Sequence, residues 1–158
     1  ELFKYVIEKE PLGTAGCLSL IQDSLSGNNL VVNADVLTDI DYRGLLDFHA
    51  KKNSAITVCT REYIHEIPFG VVNVSNGIIK SIEEKPSIKS WVNAGIYVIN
   101  FDQLPILKKD KYLDMPDLLE STLAEGEKVS NFEISNYWID IGQIHDYEKA
   151  QLDINNNL

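Results

Sequence analysis

The sequence predicts an α/β fold, in which a mixed, mainly parallel β-sheet is flanked by helices and carries an inserted β-hairpin. Short apolar runs such as Leu30–Val32 end in polar residues, which is typical of strands buried on both faces. A segment with helical spacing separates two of these runs, and an Asn-Gly dipeptide lies between two alternating segments further on. With 158 residues, of which 44% are hydrophobic and 24% charged, the chain has the size and composition of one domain with a buried core.

The first third of the chain predicts a parallel strand–helix–strand unit. Residues 1–7 have no initiator Met and alternate like a strand, so we expect the chain to begin inside a fold. Residues 15–25 predict a helix. Leu30–Val32 and Ala55–Cys59 predict buried strands, and residues 41–52 between them predict a helix whose acidic start and basic end suit the helix dipole.

The rest of the chain predicts the hairpin and then four further elements. Residues 70–74 and 78–82 flank Asn76-Gly77, a strong hairpin signal. The later elements are, in order, a buried strand at 92–99, a helix from an Asp114 N-cap to Gly126 with Pro116 in its first turn, a strand at 129–134 and a helix at 144–154.

Composition excludes several classes of function. The formal net charge of −10 argues against a nucleic-acid partner, because phosphate binding needs clustered Lys and Arg. No apolar run reaches the roughly 18 residues of a membrane span, and no basic-then-apolar leader opens the chain. Cys17 and Cys59 lack metal-ligand spacing, so we expect free thiols in a soluble, cytoplasmic protein.

Two acidic residues are candidates for a metal site. Asp35 directly follows a buried strand, and the carboxyl ends of strands in open α/β sheets face the ligand crevice. Asp140 is flanked by apolar residues and followed by Gly142. Mg²⁺ prefers one or two carboxylates together with substrate phosphates. Asp35 and Asp140 would supply the carboxylates. The alternative for Asp35 is a surface turn or a helix cap.

Three other segments carry candidate binding residues. The turn from Pro11 to Gly16 has two glycines that would let backbone N–H groups approach a ligand, or that only serve the turn geometry. Pro86 predicts an extended Lys85, a suitable phosphate partner beside Glu84, although such charge runs are usually solvated. Asn93 precedes Gly95 at a predicted strand start, which could equally be an ordinary strand beginning.

The order and spacing of six segments resemble those of the sugar-1-phosphate nucleotidyltransferases, from about residue 5 to residue 150. These segments are Leu12-Gly13-Thr14-Ala15-Gly16, Asn33-Ala34-Asp35, Phe69-Gly70-Val71-Val72, Glu84-Lys85-Pro86, Asn93-Ala94-Gly95-Ile96-Tyr97 and Trp138-Ile139-Asp140-Ile141-Gly142. The resemblance implies the Rossmann-like nucleotide-diphospho-sugar transferase fold. It implies transfer of a nucleotidyl group from an NTP to a sugar 1-phosphate, which gives an NDP-sugar and pyrophosphate in nucleotide-sugar biosynthesis.

The resemblance also implies a role for each matched residue. Asp35 and Asp140 would bind Mg²⁺ and, with Lys85, act in catalysis. Pro11, Gly13 and Thr14 belong to the turn that would contact the nucleobase and ribose. Gly70, Glu84, Lys85 and Asn93 would surround the sugar phosphate, and Trp138 would pack near the sugar.

Family members carry a Gly-x-Gly-Thr-Arg-Leu-type loop and a Pro-Lys pair ahead of these segments, and this chain shows neither. We therefore expect residues 1–158 to be a partial domain without its triphosphate-binding segment, inactive alone, with open strand edges that allow self-association. A non-catalytic nucleotide-sugar or sugar-phosphate sensor and a glycosyltransferase are the alternatives, and neither the base nor the sugar is fixed by the sequence.

Overall fold

A four-stranded mixed sheet forms the centre of the computed structural model, which describes residues 3–157. The strand order is β1 (Asn28–Val32), β6 (Ser87–Asn100), β3 (Ile56–Glu66) and β7 (Val129–Glu133). Strands β1, β3 and β7 run in one direction, and β6 runs antiparallel to both of its neighbours. The predicted mixed sheet with flanking helices is confirmed, but it is not mainly parallel, because only the β3–β7 pairing is parallel. The predicted strand–helix–strand unit differs in one respect, because β6 lies between its two parallel strands.

Helix α2 (Tyr42–Lys52) packs on one face of the sheet, as predicted. The Asp41 carboxylate caps the helix by accepting from the Arg43 N–H at 3.0 Å, and Asn53 ends it with a left-handed φ of 49°. The apolar cluster on this face contains Leu45 together with Ile96 and Val98 of β6.

Helix α3 (Met115–Ala124) contributes to the other apolar cluster. Met115 and Leu118 are buried there with Tyr97 and Ile99 of β6. Successive residues of β6 therefore alternate between the two clusters, which is the two-residue period expected of a strand covered on both faces.

The predicted helix over residues 15–25 is broken into three short pieces. They are α1 (Gly13–Gly16) and 3₁₀ turns at Cys17–Leu20 and Gln22–Ser24. The Ser19 and Ser24 hydroxyls donate to the carbonyls three residues before them, at 2.7 Å each, which competes with a continuous helix. The predicted strand at the start of the chain is wrong for residues 3–7, where Tyr5 and Ile7 are each 88% exposed. Residues 1 and 2 lie outside the described residues.

The predicted hairpin is confirmed as β4 (Val71–Ser75) and β5 (Ile78–Glu83). Asn76 and Gly77 both have positive φ, at 51° and 75°, as a two-residue turn of type I′ requires. The hairpin forms a sheet of its own. It is joined to a two-stranded extension of the main sheet, made of residues 60–66 of β3 and 87–93 of β6, which we call the distal ribbon.

A short antiparallel pair, β2 (Val36–Thr38) and β8 (Trp138–Asp140), is not predicted by the sequence. Helix α4 (Ile144–Asn157) follows it and ends the described chain, close to the predicted 144–154. None of the helices between residues 3 and 157 is both long enough and apolar enough to cross a membrane.

Candidate active site

A cleft of about 270 Å³ opens at the end of the sheet where β1 and β7 finish, β3 continues into the distal ribbon and β6 begins its buried half. A shallower depression lined by Ala34 and Asp35 adjoins it through shared residues. This end of a sheet is where ligands of open α/β folds bind. Five of the residues singled out from the sequence line this combined cleft, namely Thr14, Asp35, Asn93, Trp138 and Asp140.

Strands β2 and β8 bring the two candidate metal ligands together. Val36 pairs with Asp140 across this ribbon, and the Ile141 N–H donates to the Asp35 carbonyl at 2.9 Å. Burial raises the pKa of Asp140, and the neighbouring Asp35 and Asp146 carboxylates raise it further. The site therefore holds uncompensated negative charge, which a cation would relieve.

Asn33, Asn93 and Gly95 join the end of β1 to β6. The Asn33 N–H donates to the Gly95 carbonyl at 2.8 Å, and the Gly95 N–H donates to Asn93 Oδ1 at 3.0 Å. Gly95 has a φ of +70°, and a Cβ on it would lie 2.8 Å from Asn33 Nδ2. Only glycine therefore allows this approach, which fixes the two asparagines beside each other in the cleft.

Trp138 forms a fixed wall of the cleft. Its indole Nε1–H donates to the Ala94 carbonyl at 2.8 Å, and its half-buried ring packs against the α2-side cluster. Tyr97 lies below, next to Asn93, and burial raises the pKa of its hydroxyl. Trp138 thus satisfies its polar atom and keeps an apolar face beside the cleft.

The glycine-containing turn at 11–16 is used differently from the expectation. The Thr14 N–H donates to Asp114 Oδ1 at 3.1 Å, and the Ala15 and Gly16 N–H groups donate to the Leu113 carbonyl at 3.0 and 2.9 Å. These three amides are engaged within the protein, so the predicted approach of the turn's backbone N–H groups to a ligand is wrong for them. Thr14 lines the cleft, whereas Pro11 and Gly13 lie on the segment that leads to it.

Gly70, Glu84 and Lys85 come together, but away from this cleft. A Cβ on Gly70 would lie 3.0 Å from Glu84 Oε2. Glu84 and Lys85 directly precede Pro86, whose carbonyl accepts from the Ile67 N–H at the far end of the distal ribbon. The six residue steps from Ser87 to Asn93 span about 20 Å. The structure therefore separates these three residues from the other five.

Lys85 also departs from its predicted conformation. Its φ is +47°, in the left-handed region, rather than extended as the following proline suggests. Only three residues separate β5 from β6, which belong to different sheets, and a left-handed residue allows the chain to turn between them.

Sequence reasoning missed several residues of the cleft. Asn33 carries the same signal as Asp35, because it directly follows a buried strand, and could have been found from it. Asp114, directly before the cleft residue Met115, carries only the signal of a helix cap. Met115 and Pro116, which wall the cleft beside Thr14, carry no signal apart from the start of a helix.

Within residues 3–157, no cluster of three or more His, Cys, Asp or Glu side chains is placed to hold a metal ion. The acidic pair alone offers two carboxylates, which matches the small number of protein ligands that Mg²⁺ takes when a phosphate completes its shell.

Comparison with known proteins places the chain in a family. The family model described as Nucleotidyl transferase matches residues 2–157. A mannose-1-phosphate guanyltransferase from Pichia angusta is 31% identical over 156 residues, which cover 90% of this chain and 41% of that protein. A glucose-1-phosphate adenylyltransferase from Mycoplasma mobile is 28% identical, over 99% of this chain and 46% of that protein.

The chain thus spans less than half the length of these two relatives. Among solved structures, HddC from Yersinia pseudotuberculosis in complex with GMP-PN has a TM-score of 0.67 at 23% identity, over 94% of this chain and 65% of that one. This likeness confirms the predicted fold. Because the family model covers almost every residue, the chain belongs to the nucleotidyl transferase family.

Proposed function

We propose that this chain forms the metal and sugar sides of a site that transfers a nucleotidyl group from an NTP to a sugar 1-phosphate. The products are an NDP-sugar and pyrophosphate. One observation carries the proposal: Asp35 and Asp140, from distant parts of the chain, meet beside a cleft that also contains Asn93 and Trp138. The names of the two relatives above describe reactions of this class.

The chemistry demands positioning rather than a nucleophile from the protein. A phosphate oxygen of the sugar 1-phosphate attacks the α-phosphorus of the NTP in line, the new P–O bond forms, and the bond to the bridging oxygen breaks to release pyrophosphate. No covalent enzyme intermediate is needed. The residues of the cleft therefore act by holding two anions in contact and by offsetting their charge.

Asp35 and Asp140 fit a Mg²⁺ ion. Burial, and then the neighbouring Asp35 and Asp146 carboxylates, raise the pKa of Asp140, so a cation bound here would stabilise its ionised form. When bound, Mg²⁺ would supply positive charge to the meeting phosphates. The two carboxylates would hold that charge beside the cleft, which would account for anionic substrates binding to a chain of net charge −10.

Asn93 and Trp138 suit the sugar. The Asn93 carboxamide is held by the Gly95 N–H, so it presents a fixed polar group to sugar hydroxyls. The Trp138 ring, fixed through its bond to the Ala94 carbonyl, offers an apolar surface to a sugar face.

Gly70, Glu84 and Lys85 are assigned to the same sugar phosphate on their positions in the sequence motif alone. At the end of the distal ribbon they lie about 20 Å from Asn93 along β6. These residues can reach a sugar phosphate in the cleft only if the distal ribbon bends towards it.

We place the protein in the cytoplasm, in nucleotide-sugar biosynthesis, where Cys17 and Cys59 would remain the free thiols that they are in this structure. Triphosphate binding is assigned to a segment outside these 158 residues, so turnover is sought in the full-length protein. Guanylyl and adenylyl transfer both occur among the relatives, which leaves the base open.

Pyrophosphate release by the full-length protein, from each common NTP with a panel of sugar 1-phosphates and Mg²⁺, tests the proposal. Asp35→Asn and Asp140→Asn should each lower the rate at least about 100-fold. Asp47→Asn, which changes an exposed carboxylate on α2, is the control and should leave the rate unchanged. Wild-type rates in either site variant would refute the assignment. Binding without release would identify a sensor, and dependence on an acceptor would identify a glycosyltransferase.

A further inference from the structure

The segment 12–16 is fixed to the segment 111–115 by side-chain and backbone hydrogen bonds. Thr14 and Asp114 exchange contacts across this junction. The Thr14 N–H donates to Asp114 Oδ1 at 3.1 Å, and the Met115 N–H donates to Thr14 Oγ1 at 2.8 Å. On the basis of the proposed function, we propose that Asp114 is a positioning residue that sets the nucleotide end of the cleft by holding Thr14.

Asp114 occupies the N-cap position of α3 but does not cap it. Its backbone is extended, and its side chain makes no capping hydrogen bond to the helix. The Thr14 hydroxyl accepts the bond from the first turn instead, while the Asp114 carboxylate accepts the N–H of Thr14. The usual local cap is thereby exchanged for a reciprocal link between two distant segments.

Backbone bonds and glycines bring the two segments into contact. The Leu113 N–H donates to the Leu12 carbonyl at 2.8 Å, and the Leu113 carbonyl accepts from Ala15 and Gly16. A Cβ on Gly13 would lie 2.7 Å from Asp114 Oδ1. A larger residue at position 13 would therefore push the carboxylate away from Thr14, so close packing requires glycine at this position.

Tyr112 fixes the second oxygen of the carboxylate. Its hydroxyl donates to Asp114 Oδ2 at 2.7 Å. This bond, followed by the one from the Thr14 N–H, holds the pKa of Asp114 below its usual range. Both carboxylate oxygens are thus engaged, and the group is charged throughout the neutral range.

The link reaches the cleft through residues on both of its sides. Thr14 lines the cleft together with Asn33 and adjoins the depression that contains Asp35. Met115 and Pro116, directly after Asp114, form the neighbouring wall. Loss of the Asp114 carboxylate should therefore displace Thr14 relative to this wall, and the sugar-side residues Asn93 and Trp138 should stay in place.

Asp114→Ala, Asp114→Asn and Tyr112→Phe in the full-length protein test the inference, with Asp117→Ala as the control because Asp117 is an exposed acid in the same first helical turn. The measurements are amide hydrogen exchange at Thr14, calorimetric affinity for each common NTP with Mg²⁺, and KM and kcat for the best NTP and for the sugar 1-phosphate. We expect Asp114→Ala to lose protection at Thr14 and to weaken nucleotide binding about tenfold, since it removes a bond to a charged group. The KM for the sugar 1-phosphate and kcat should change less than twofold.

Asp114→Asn keeps an oxygen acceptor and should recover most of the nucleotide affinity. The affinity of Tyr112→Phe should lie between those of Asp114→Ala and the wild type, and Asp117→Ala should match the wild type. An Asp114→Ala protein that binds nucleotide normally, or that loses affinity for both substrates equally, would overturn the inference while the proposed function stands. A wild-type protein that binds none of the common NTPs would overturn the proposed function and this inference with it. Normal exchange at Thr14 in Asp114→Ala would show that the link itself does not hold the segment.

Discussion

At the scale of single residues, the site depends on groups that are costly where they stand. Asp140 lies beside Asp35 and Asp146, and the left-handed Gly95 lies against Asn33. Neither arrangement helps the protein to fold, because like charges repel and a positive φ excludes most side chains. Such local costs are typical of functional sites, where the rest of the fold holds groups in place for a ligand.

Asp140→Asn should abolish Mg²⁺ binding without destabilising the fold. Because the pKa of Asp140 is raised in the folded state, the folded protein holds this proton more tightly than the unfolded chain does. The ionised form therefore disfavours folding, and wild-type stability falls as the pH rises through the folded pKa. In metal-free buffer at pH 7 we expect the variant to melt at the wild-type temperature or slightly above.

Mg²⁺ should raise the melting temperature of the wild type and leave that of Asp140→Asn unchanged, because ligand binding to the folded state stabilises it. Differential scanning calorimetry with and without Mg²⁺ measures both effects. Equal stabilisation of the two proteins by Mg²⁺ would place the ion elsewhere.

Gly95→Ala should destabilise the protein more than an equivalent change outside the cleft. Gly77 is the matched control, because its φ of +75° is similar while a Cβ there meets nothing within 4 Å. Gly77→Ala should cost about 1–2 kcal/mol from the backbone alone. Gly95→Ala adds a contact 2.8 Å from Asn33 Nδ2 and should cost about 2–4 kcal/mol. Urea unfolding gives both values, and equal losses would mean that Asn33 moves aside freely.

At the scale of elements, hydrophobic pattern and turn chemistry predicted those that carry a local signal. The hairpin followed from Asn76-Gly77, and α2 followed from its acidic start and basic end. Strand β3 was predicted only as far as Cys59, because its continuation to Glu66 is exposed and pairs with β6 rather than entering a core. The β2–β8 pair has three residues a strand, and its partners are far apart in the sequence, so no local pattern identifies it.

The same limit applies to the site. Asp35 and Asp140 each follow or end an apolar run, and the structure brings the two residues together at the cleft. The Thr14–Asp114 link could not be predicted, because a Thr in a glycine turn and an Asp before a helix each have sufficient local explanations.

His49 should make the junction of three elements sensitive to pH. From α2 it contacts Thr57 Oγ1 of β3 at 2.7 Å and Asn28 Oδ1 of β1 at 3.1 Å. Burial lowers the pKa of His49, so the unfolded chain binds this proton more tightly. The stabilisation is complete above the ordinary histidine pKa and is lost as the pH falls through the lowered folded value.

We expect wild-type stability to drop between pH 7 and pH 5, and His49→Gln to lose much of this dependence. The variant should also be about 2–4 kcal/mol less stable at pH 7, because it disturbs a buried hydrogen-bonded group. His65→Gln, at an exposed position on the distal ribbon, should keep the wild-type profile. Urea unfolding at both pH values decides the question, and an unchanged slope in His49→Gln would remove His49 as its source.

At the scale of the whole molecule, the candidate site residues lie in two regions, one well packed and one largely exposed. The sheet with its two apolar clusters holds the cleft, whereas the distal ribbon and hairpin expose Tyr63, Ile64, Ile79 and Ile82 by half or more. A two-stranded sheet without a covering layer has little to fix it. The ribbon is therefore the part of the described chain best able to change its position when a substrate binds.

A substitution at Lys85 tests whether the distal ribbon moves when a substrate binds. If the ribbon bends towards the cleft, the Lys85 ammonium meets the sugar phosphate, and Lys85→Ala in the full-length protein should raise the KM for the sugar 1-phosphate about tenfold or more while leaving the KM for the NTP unchanged. Lys89→Ala is the matched control, since Lys89 lies on the same ribbon but pairs with Glu62 at 3.0 Å. Such an exposed pair contributes little, so this variant should behave as the wild type. Equal KM values for Lys85→Ala and the wild type would mean that the ribbon stays extended, and would leave charge neutralisation at the sugar phosphate to the Mg²⁺ ion proposed to bind Asp35 and Asp140.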